Sequence, residues 1–213
     1  MIALERKSSY NETLEKHLPP GSMPILKLLL PKTGLDIVLK KHHKNCLGKF
    51  TIRKMPFSQA RITISQALPP PRFLIVLIHE LAHYYTWKLY PKRKVAPHGE
   101  EWKNSFSMLL SAFVKKNVFP ESIEKELIAC IDSGFNSSKA MMHLNLALNR
   151  WKHKNDRKKM FAISDLEVSS TFLYKGSIYK IVKINNSRSV AEKQDAVSKK
   201  FSFYKAMLVE KVE

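Results

Sequence analysis

Cysteine is scarce in this sequence. The 213 residues include two, Cys46 and Cys130, which lie far apart and form no CxxC pair. This count excludes a disulfide framework, and it also excludes a zinc ribbon held by four cysteines. We predict that both residues are buried free thiols; a single disulfide between them is the alternative.

Long apolar runs are also missing. A helix needs roughly 20 consecutive apolar residues to cross a bilayer, and the longest run here, Phe73 to Ile78, is followed directly by His79 and Glu80. Residues 1–17 carry charges every few positions and lack the apolar stretch of a secretory signal. We therefore expect the protein in the cytoplasm, or at the nucleoid if its partner is DNA.

Acidic residues are few, and basic residues outnumber them about two to one. The chain holds 18 Asp and Glu against 37 Lys and Arg, a formal net charge of +19. A field of that sign attracts polyanions and speeds encounter with them. The charge predicts DNA as a partner, although a solubility role would produce the same composition.

Hydrophobic periodicity predicts an α+β fold. Alternating runs indicate strands over residues 35–40, 49–54 and 61–65, and longer apolar patterns indicate helices over 23–30, 71–89, 98–116 and 139–152, with another beginning at Pro120. Arg61 to Ser65 is interpreted either as an edge strand beside the active site or as a plain sheet strand. The stretches 171–185 and 201–212 are rich in β-formers and meet a turn at Lys175-Gly176.

These patterns divide the chain into three parts. We predict a main domain over residues 1–150, a basic linker over 151–160 and a small all-β domain over 161–213. The linker prediction rests on six bases within ten residues from Arg150 to Lys159. Aromatic and branched residues of the last segment are expected to hold it without a metal: Phe172, Tyr174, Ile178, Tyr179, Ile181, Phe203 and Tyr204.

The motif His79-Glu80-Leu81-Ala82-His83 is the clearest chemical signal. Histidines four residues apart on a helix project from the same face, so both imidazoles can bind one zinc ion. The intervening Glu80 can then act as general base towards the attacking water without binding the metal itself. Two ordinary histidines on a buried helix are the alternative interpretation.

A catalytic zinc site needs a third protein ligand. The candidates are His98, Glu100 and Glu101, all near the start of the next predicted helix. We select His98, because a histidine followed by Gly99 is unusual for simple helix capping, and Glu101 is the second choice. Gly99 is expected to let the backbone approach the metal.

Two segments of the chain resemble the SprT-like zinc metalloproteases: HELAHYYTW at residues 79–87 and PHGEEWK at 97–103. The resemblance is strongest to the bacterial branch of this family, which is related to the Spartan DNA–protein crosslink proteases. The resemblance spans roughly residues 20–213. It implies a zincin-type domain with a small sheet, an active-site helix and further helices. It also implies one catalytic Zn²⁺ held by His79, His83 and His98, with Glu80 as the catalytic residue and Trp102 as a packing aromatic.

The same resemblance implies a function. Members of the family cut proteins bound or crosslinked to DNA, and bacterial members carry labels of transcription or stress proteins. The chain departs from the many relatives that have a four-cysteine ribbon, so its C-terminal β domain must lack that metal. We therefore predict a zinc metalloendopeptidase acting on DNA-bound protein. A non-catalytic nucleic-acid-binding protein with a structural zinc is the rival, and hydrolysis of a non-protein amide is a third alternative.

Basic clusters are the candidates for DNA contact. One lies in the loop between the second and third predicted ligands, and the other follows the last predicted helix. Their residues are Lys92, Arg93, Lys94, Arg150, Lys152, Arg157, Lys158 and Lys159.

Overall fold

The computed structural model describes residues 13–41, 46–53, 59–91, 95–153, 160–195 and 199–212. The chain divides into two compact units, residues 1–124 and 125–213. The first contains a small mixed sheet with helices and the second a six-stranded antiparallel sheet, so the predicted α+β class is confirmed. The linker and domain limits drawn at 150 and 160 remain predictions.

The sheet of the first unit has three strands in the order β1-β3-β2. Its strands are β1 (Leu35–Lys40), β2 (Gly48–Arg53) and β3 (Gln59–Ser65). β3 pairs in parallel with β1 and antiparallel with β2. The edge-strand interpretation of Arg61 to Ser65 is therefore wrong. Thr63 and Ser65 are buried together with Ile62 and Ile64, so both faces of β3 are covered, as in a central strand.

Three helices of this unit pack with the sheet or with one another. They are α1 (Ser22–Leu29), α2 (Pro70–Leu89) and α3 (Glu100–Val114). α2 begins where Pro70 and Pro71 suit the first turn, in which backbone N–H groups have no helical partner, and it ends shortly before Pro91. It packs against β2, β3 and α3. That position between sheet and helix explains why residues around most of its circumference are buried.

The second unit begins within the helix α4 (Glu121–Asp132), which crosses the division between the units. Helix α5 (Ser138–Lys152) begins after Ser137, whose hydroxyl accepts a hydrogen bond from the Ala140 N–H at 3.2 Å. This is an N-cap, which satisfies one of the helix's first amide groups. The predicted helix over 139–152 is confirmed.

The C-terminal sheet has the strand order β4-β9-β5-β6-β7-β8. Its strands are β4 (Met160–Ala162), β5 (Thr171–Tyr174), β6 (Ser177–Ile184), β7 (Arg188–Lys193), β8 (Lys200–Tyr204) and β9 (Leu208–Val212). The turn joining β5 to β6 is Lys175-Gly176, with φ of 49° and 78°. Positive φ at both positions is what a two-residue hairpin requires, because it matches the twist of the strands.

The core of this sheet is apolar and partly aromatic. Phe172 and Phe203 meet edge to face with ring centroids 5.0 Å apart, and Tyr179 packs against both. Ile178, predicted to help hold the domain, is 40% exposed because it alternates with Tyr179 and lies on the other face.

Both cysteines are free, as predicted. Cys130 is buried, whereas Cys46 is partly exposed. Within the described residues, no helix combines the length and apolarity that a membrane span requires.

Candidate metal centre

Two of the predicted ligands lie on α2. His79 and His83 are one helical turn apart, with ring centroids 5.0 Å from each other, and both are partly buried. The neighbouring Ile78 and Leu81 are fully buried and hold this part of the helix in the core. The helix therefore fixes the separation of the two imidazoles by its own geometry.

The third histidine comes from a strained turn. The Gly99 N–H donates to the Ala96 carbonyl at 3.0 Å, which closes a turn with Pro97 and His98 in the middle. His98 has a φ of 58°, a left-handed conformation that costs a residue other than glycine roughly 1–2 kcal/mol. Glycine or asparagine would suit this position better. A histidine here indicates that its imidazole is needed.

Gly99 allows the turn before α3 to close. A Cβ atom at this position would lie 3.1 Å from the Ala96 carbonyl oxygen and 3.3 Å from the Ala96 Cβ. These are the two shortest contacts with the protein, and the expectation that Gly99 allows the backbone to approach a metal stays a prediction. The absence of a side chain lets the turn close tightly, and this closure positions the preceding His98.

The three imidazoles converge through the same ring nitrogen. His98 Nε2 lies 3.1 Å from His79 Nε2 and 3.2 Å from His83 Nε2. A tetrahedral zinc site with Zn–N bonds of about 2.05 Å places its nitrogen ligands about 3.3 Å apart. A neutral imidazole Nε2 carries either one hydrogen or one lone pair. His98 Nε2 therefore cannot form hydrogen bonds with both neighbouring Nε2 atoms at once. One metal ion, in contrast, can accept the lone pairs of all three Nε2 atoms.

The protonation states suit metal binding. Burial, together with the nearby His83 and His98, lowers the pKa of His79 to about 3. Burial, with the nearby His98, lowers the pKa of His83 to about 4. Both rings are thus neutral near pH 7, which is the form that binds a metal.

Trp102 packs against all three histidines. Its ring centroid lies 4.6 Å from His79, 5.3 Å from His83 and 4.6 Å from His98. Its indole N–H donates to the His79 carbonyl at 3.4 Å, and it stacks on Phe106. The predicted packing aromatic therefore connects α3 to the cluster and restricts how the imidazoles can turn.

Glu80 is positioned by β2. The side chain is 6% exposed, and burial raises its pKa to about 7, although a hydrogen bond from the Phe50 backbone N–H favours the ionised form. A Cβ on Gly48 would lie 2.8 Å from Glu80 Oε1 and 2.7 Å from Val76 Cγ1. Only glycine lets the strand pass this close to α2. The sequence prediction began this strand at Lys49 and so missed these roles of Gly48 and Phe50; a glycine in a strand is a signal of close approach.

A cavity of about 530 Å³ joins these groups. Its walls come from β2, the second half of α2, the segment 95–98 and the start of α3, and it contains the three histidines and Glu80. Among the described residues, the group that could hold a metal ion consists of the three histidines and includes no Cys, Asp or Glu side chain. Neither Glu100 nor Glu101 joins it; Glu100 instead accepts from Lys103 Nζ at 3.0 Å.

The sequence around the three histidines matches a known family. A family model described as the SprT-like family matches residues 10–122, more than half of the chain. The chain belongs to the SprT-like family. No curated protein and no solved structure matches it. The three histidines and Glu80 all fall within the SprT-like segment, whereas the six-stranded sheet lies beyond it.

The basic residues predicted to contact DNA are only partly described. Six of them lie outside the described residues: Lys92, Arg93, Lys94, Arg157, Lys158 and Lys159. Arg150 and Lys152 occupy the last turn of α5. Arg150 Nη2 lies 3.3 Å from Asp165 Oδ2, and Lys152 is exposed.

The turn geometry leads to a prediction for His98→Asn. Asparagine tolerates positive φ but lacks the imidazole, so the substitution should spare the metal-free fold and remove one ligand. We expect zinc to raise the melting temperature of the wild type much more than that of the variant. In the presence of a chelator, the two proteins should have the same melting temperature. His143→Asn in the second unit is the matched control. An unchanged zinc-dependent increase in the His98 variant would exclude this residue as a ligand.

The buried carboxylate predicts a pH dependence. The folded pKa of Glu80 is raised to about 7 from 4.5, so its contribution to stability is complete below pH 4.5 and is lost as the pH rises through 7. Metal-free Glu80→Gln should therefore match the wild type near pH 4.5 and exceed it by roughly 3 kcal/mol above pH 8. Denaturant unfolding in chelator at several pH values measures this. A difference that is independent of pH would contradict it.

Proposed function

We propose that this SprT-like protein is a zinc-dependent metallopeptidase of the zincin type that hydrolyses peptide bonds in proteins. The observation that carries the proposal is the convergence of three Nε2 atoms beside a buried glutamate in one cavity. The position of the three histidines and the glutamate within the SprT-like segment supports the same function.

Each residue has a distinct role in this proposal. His79, His83 and His98 would hold Zn²⁺, which when bound supplies a Lewis acid and lowers the pKa of water. Glu80 accepts the proton of the attacking water and then donates it to the departing amine. Its raised pKa suits both steps, because a carboxyl group that titrates near pH 7 can take up a proton and release it again.

The open ligand set favours catalysis over a structural zinc. A structural site would be closed by a fourth protein ligand, and the described residues provide a group of three. His98 is exposed and the site opens into the cavity, so a substrate has access to the metal position. These observations weigh against the rival of a nucleic-acid-binding protein with a structural zinc.

A polypeptide substrate is supported by the sheet. β2 is an outer strand of the three-stranded sheet, and Gly48, Lys49 and Phe50 line the cavity beside Glu80. An extended peptide can add to such a strand through backbone hydrogen bonds. That mode of binding would hold a peptide bond near the histidines without requiring a particular side chain.

DNA-bound proteins are the proposed substrates. The net charge of +19 favours attraction to DNA, and proteins carried on DNA would thereby be brought to the active site. The family resemblance supports the same class of substrate. DNA binding would then restrict cleavage to proteins on DNA.

The first test compares Glu80→Gln with the wild type. Both should bind one zinc ion, because Glu80 is not a ligand, whereas cleavage of a DNA-bound basic protein should fall at least about 100-fold in the variant. Metal analysis and gel-based cleavage assays measure these effects. Glu100→Gln, an exposed glutamate paired with Lys103, is the control and should retain activity. Wild-type-like cleavage by the Glu80 variant would overturn the proposed role.

The second test concerns DNA. We expect DNA to increase the cleavage rate, and the combined variant Lys92→Glu, Arg93→Glu and Lys94→Glu to lose that increase because it repels phosphate. Charge reversal at three exposed lysines, Lys115, Lys116 and Lys125, makes the same change in net charge and is the control. Equal cleavage rates with and without DNA in the wild type would contradict gating by DNA.

A further inference from the structure

The cavity extends past the histidines towards the end of α2. This extension, called here the apolar extension, is lined by Phe50, Thr86, Trp87, Tyr90, Val95 and Pro97. It adjoins the metal cluster, because the Phe50 and His83 rings lie nearly parallel with centroids 6.4 Å apart. A group bound there would therefore be next to the reacting centre.

The hydroxyl of Thr86, one of the polar groups in this wall, is already occupied. Thr86 Oγ1 donates to the Ala82 carbonyl at 2.8 Å and lies 3.4 Å from Ser105 Oγ. Thr86 is 7% exposed, so it contributes little surface to the wall. Lys49 also lines the cavity, but it is exposed and alternates along β2 with Phe50, which packs towards α2.

Trp87 is held in place by its neighbours. Its ring lies 6.3 Å from Phe50 and 6.0 Å from Tyr84, measured between centroids, and Lys88 Nζ sits 4.7 Å from its ring centroid. Trp87 remains partly exposed although it lines the cavity. A fixed and incompletely covered aromatic wall gains stability when an apolar side chain covers it.

The spacing identifies which substrate residue reaches this wall. Trp87 follows His83 by four residues, which places it about 6 Å further along the helix. An extended peptide advances about 3.3 Å per residue. The side chain that enters the apolar extension therefore belongs to a residue flanking the scissile bond.

We propose that the apolar extension binds a large apolar side chain, aromatic or branched, next to the scissile peptide bond, and that Trp87 determines this specificity. The inference rests on the proposed peptidase function. Apolar side chains are mostly buried in folded proteins. The enzyme would consequently prefer unfolded or locally opened segments of its protein substrates.

Binding tests the inference without requiring turnover. The probes are two peptidyl hydroxamates that differ only in carrying a benzyl or a methyl side chain beside the hydroxamate, which binds zinc. Titration of the full-length zinc-loaded protein should show the benzyl form binding about 10-fold tighter or more. In Trp87→Ala the two affinities should approach each other, while Trp87→Phe should retain most of the preference.

Two further variants control for damage to the fold. Leu89→Ala changes a residue of the same helix that is 62% exposed, and it should leave the preference unchanged. Val95→Asp places a charge in the apolar extension from a loop position, and it should weaken the benzyl form selectively. Zinc content and melting temperature are measured for every variant, so that loss of the site is distinguished from loss of specificity.

Cleavage mapping separates the two proposals. Unfolded polypeptides are digested with the wild type and with Glu80→Gln, with and without DNA, and the product ends are identified by mass spectrometry. Apolar residues should be enriched at one position flanking the cut. If the benzyl preference is present but the wild type cleaves no more than Glu80→Gln, the apolar extension stands and the peptidase proposal falls. Equal binding of the two hydroxamates overturns the inference, whether or not cleavage occurs.

Discussion

The structure of the site depends on keeping polar side chains on a helix that is buried between a sheet and another helix. His79, Glu80, His83 and Thr86 all lie on α2, and unpartnered polar groups in such a position are costly. Each has a partner of a different kind. Thr86 bonds within the helix, Glu80 accepts from β2, and the two histidines meet His98.

The residues that complete the site come from separate segments. β2 approaches α2 closely because Gly48 has no side chain, and its next residues bring the Phe50 amide to Glu80. The turn before α3 supplies His98 at the cost of a left-handed backbone, and α3 itself supplies Trp102. Strain in the turn is offset only if His98 gains an interaction that glycine could not make, and metal binding is such an interaction.

The second unit has a self-contained core. Phe172, Tyr179 and Phe203 are packed by one another and by the apolar residues of six strands. The SprT-like segment ends before this sheet. Any contribution of the sheet to nucleic-acid binding is therefore separate from the family assignment, which concerns the metal centre.

Local patterns were sufficient for much of the fold. The spacing of His79 and His83 predicts two ligands on one helix face, since four residues make about one turn. The prolines before and after α2 mark its ends, and Lys175-Gly176 marks a hairpin, because these residue types restrict or permit particular φ values. The alternating pattern at 61–65 did not reveal that this strand is central. Alternation of apolar and polar residues indicates a strand, but it does not show which elements pack on the faces of the strand or pair with its edges.

The sequence by itself determined the residue types of the metal site, the absence of a cysteine zinc ribbon and the strong positive charge. The tertiary structure decided that His98, and not Glu100 or Glu101, meets the other two histidines. It also decided that β3 is central and that Gly48 and Phe50 position Glu80. The physical reason is that these contacts join residues distant in the chain, and their geometry depends on turns and packing that no local pattern encodes.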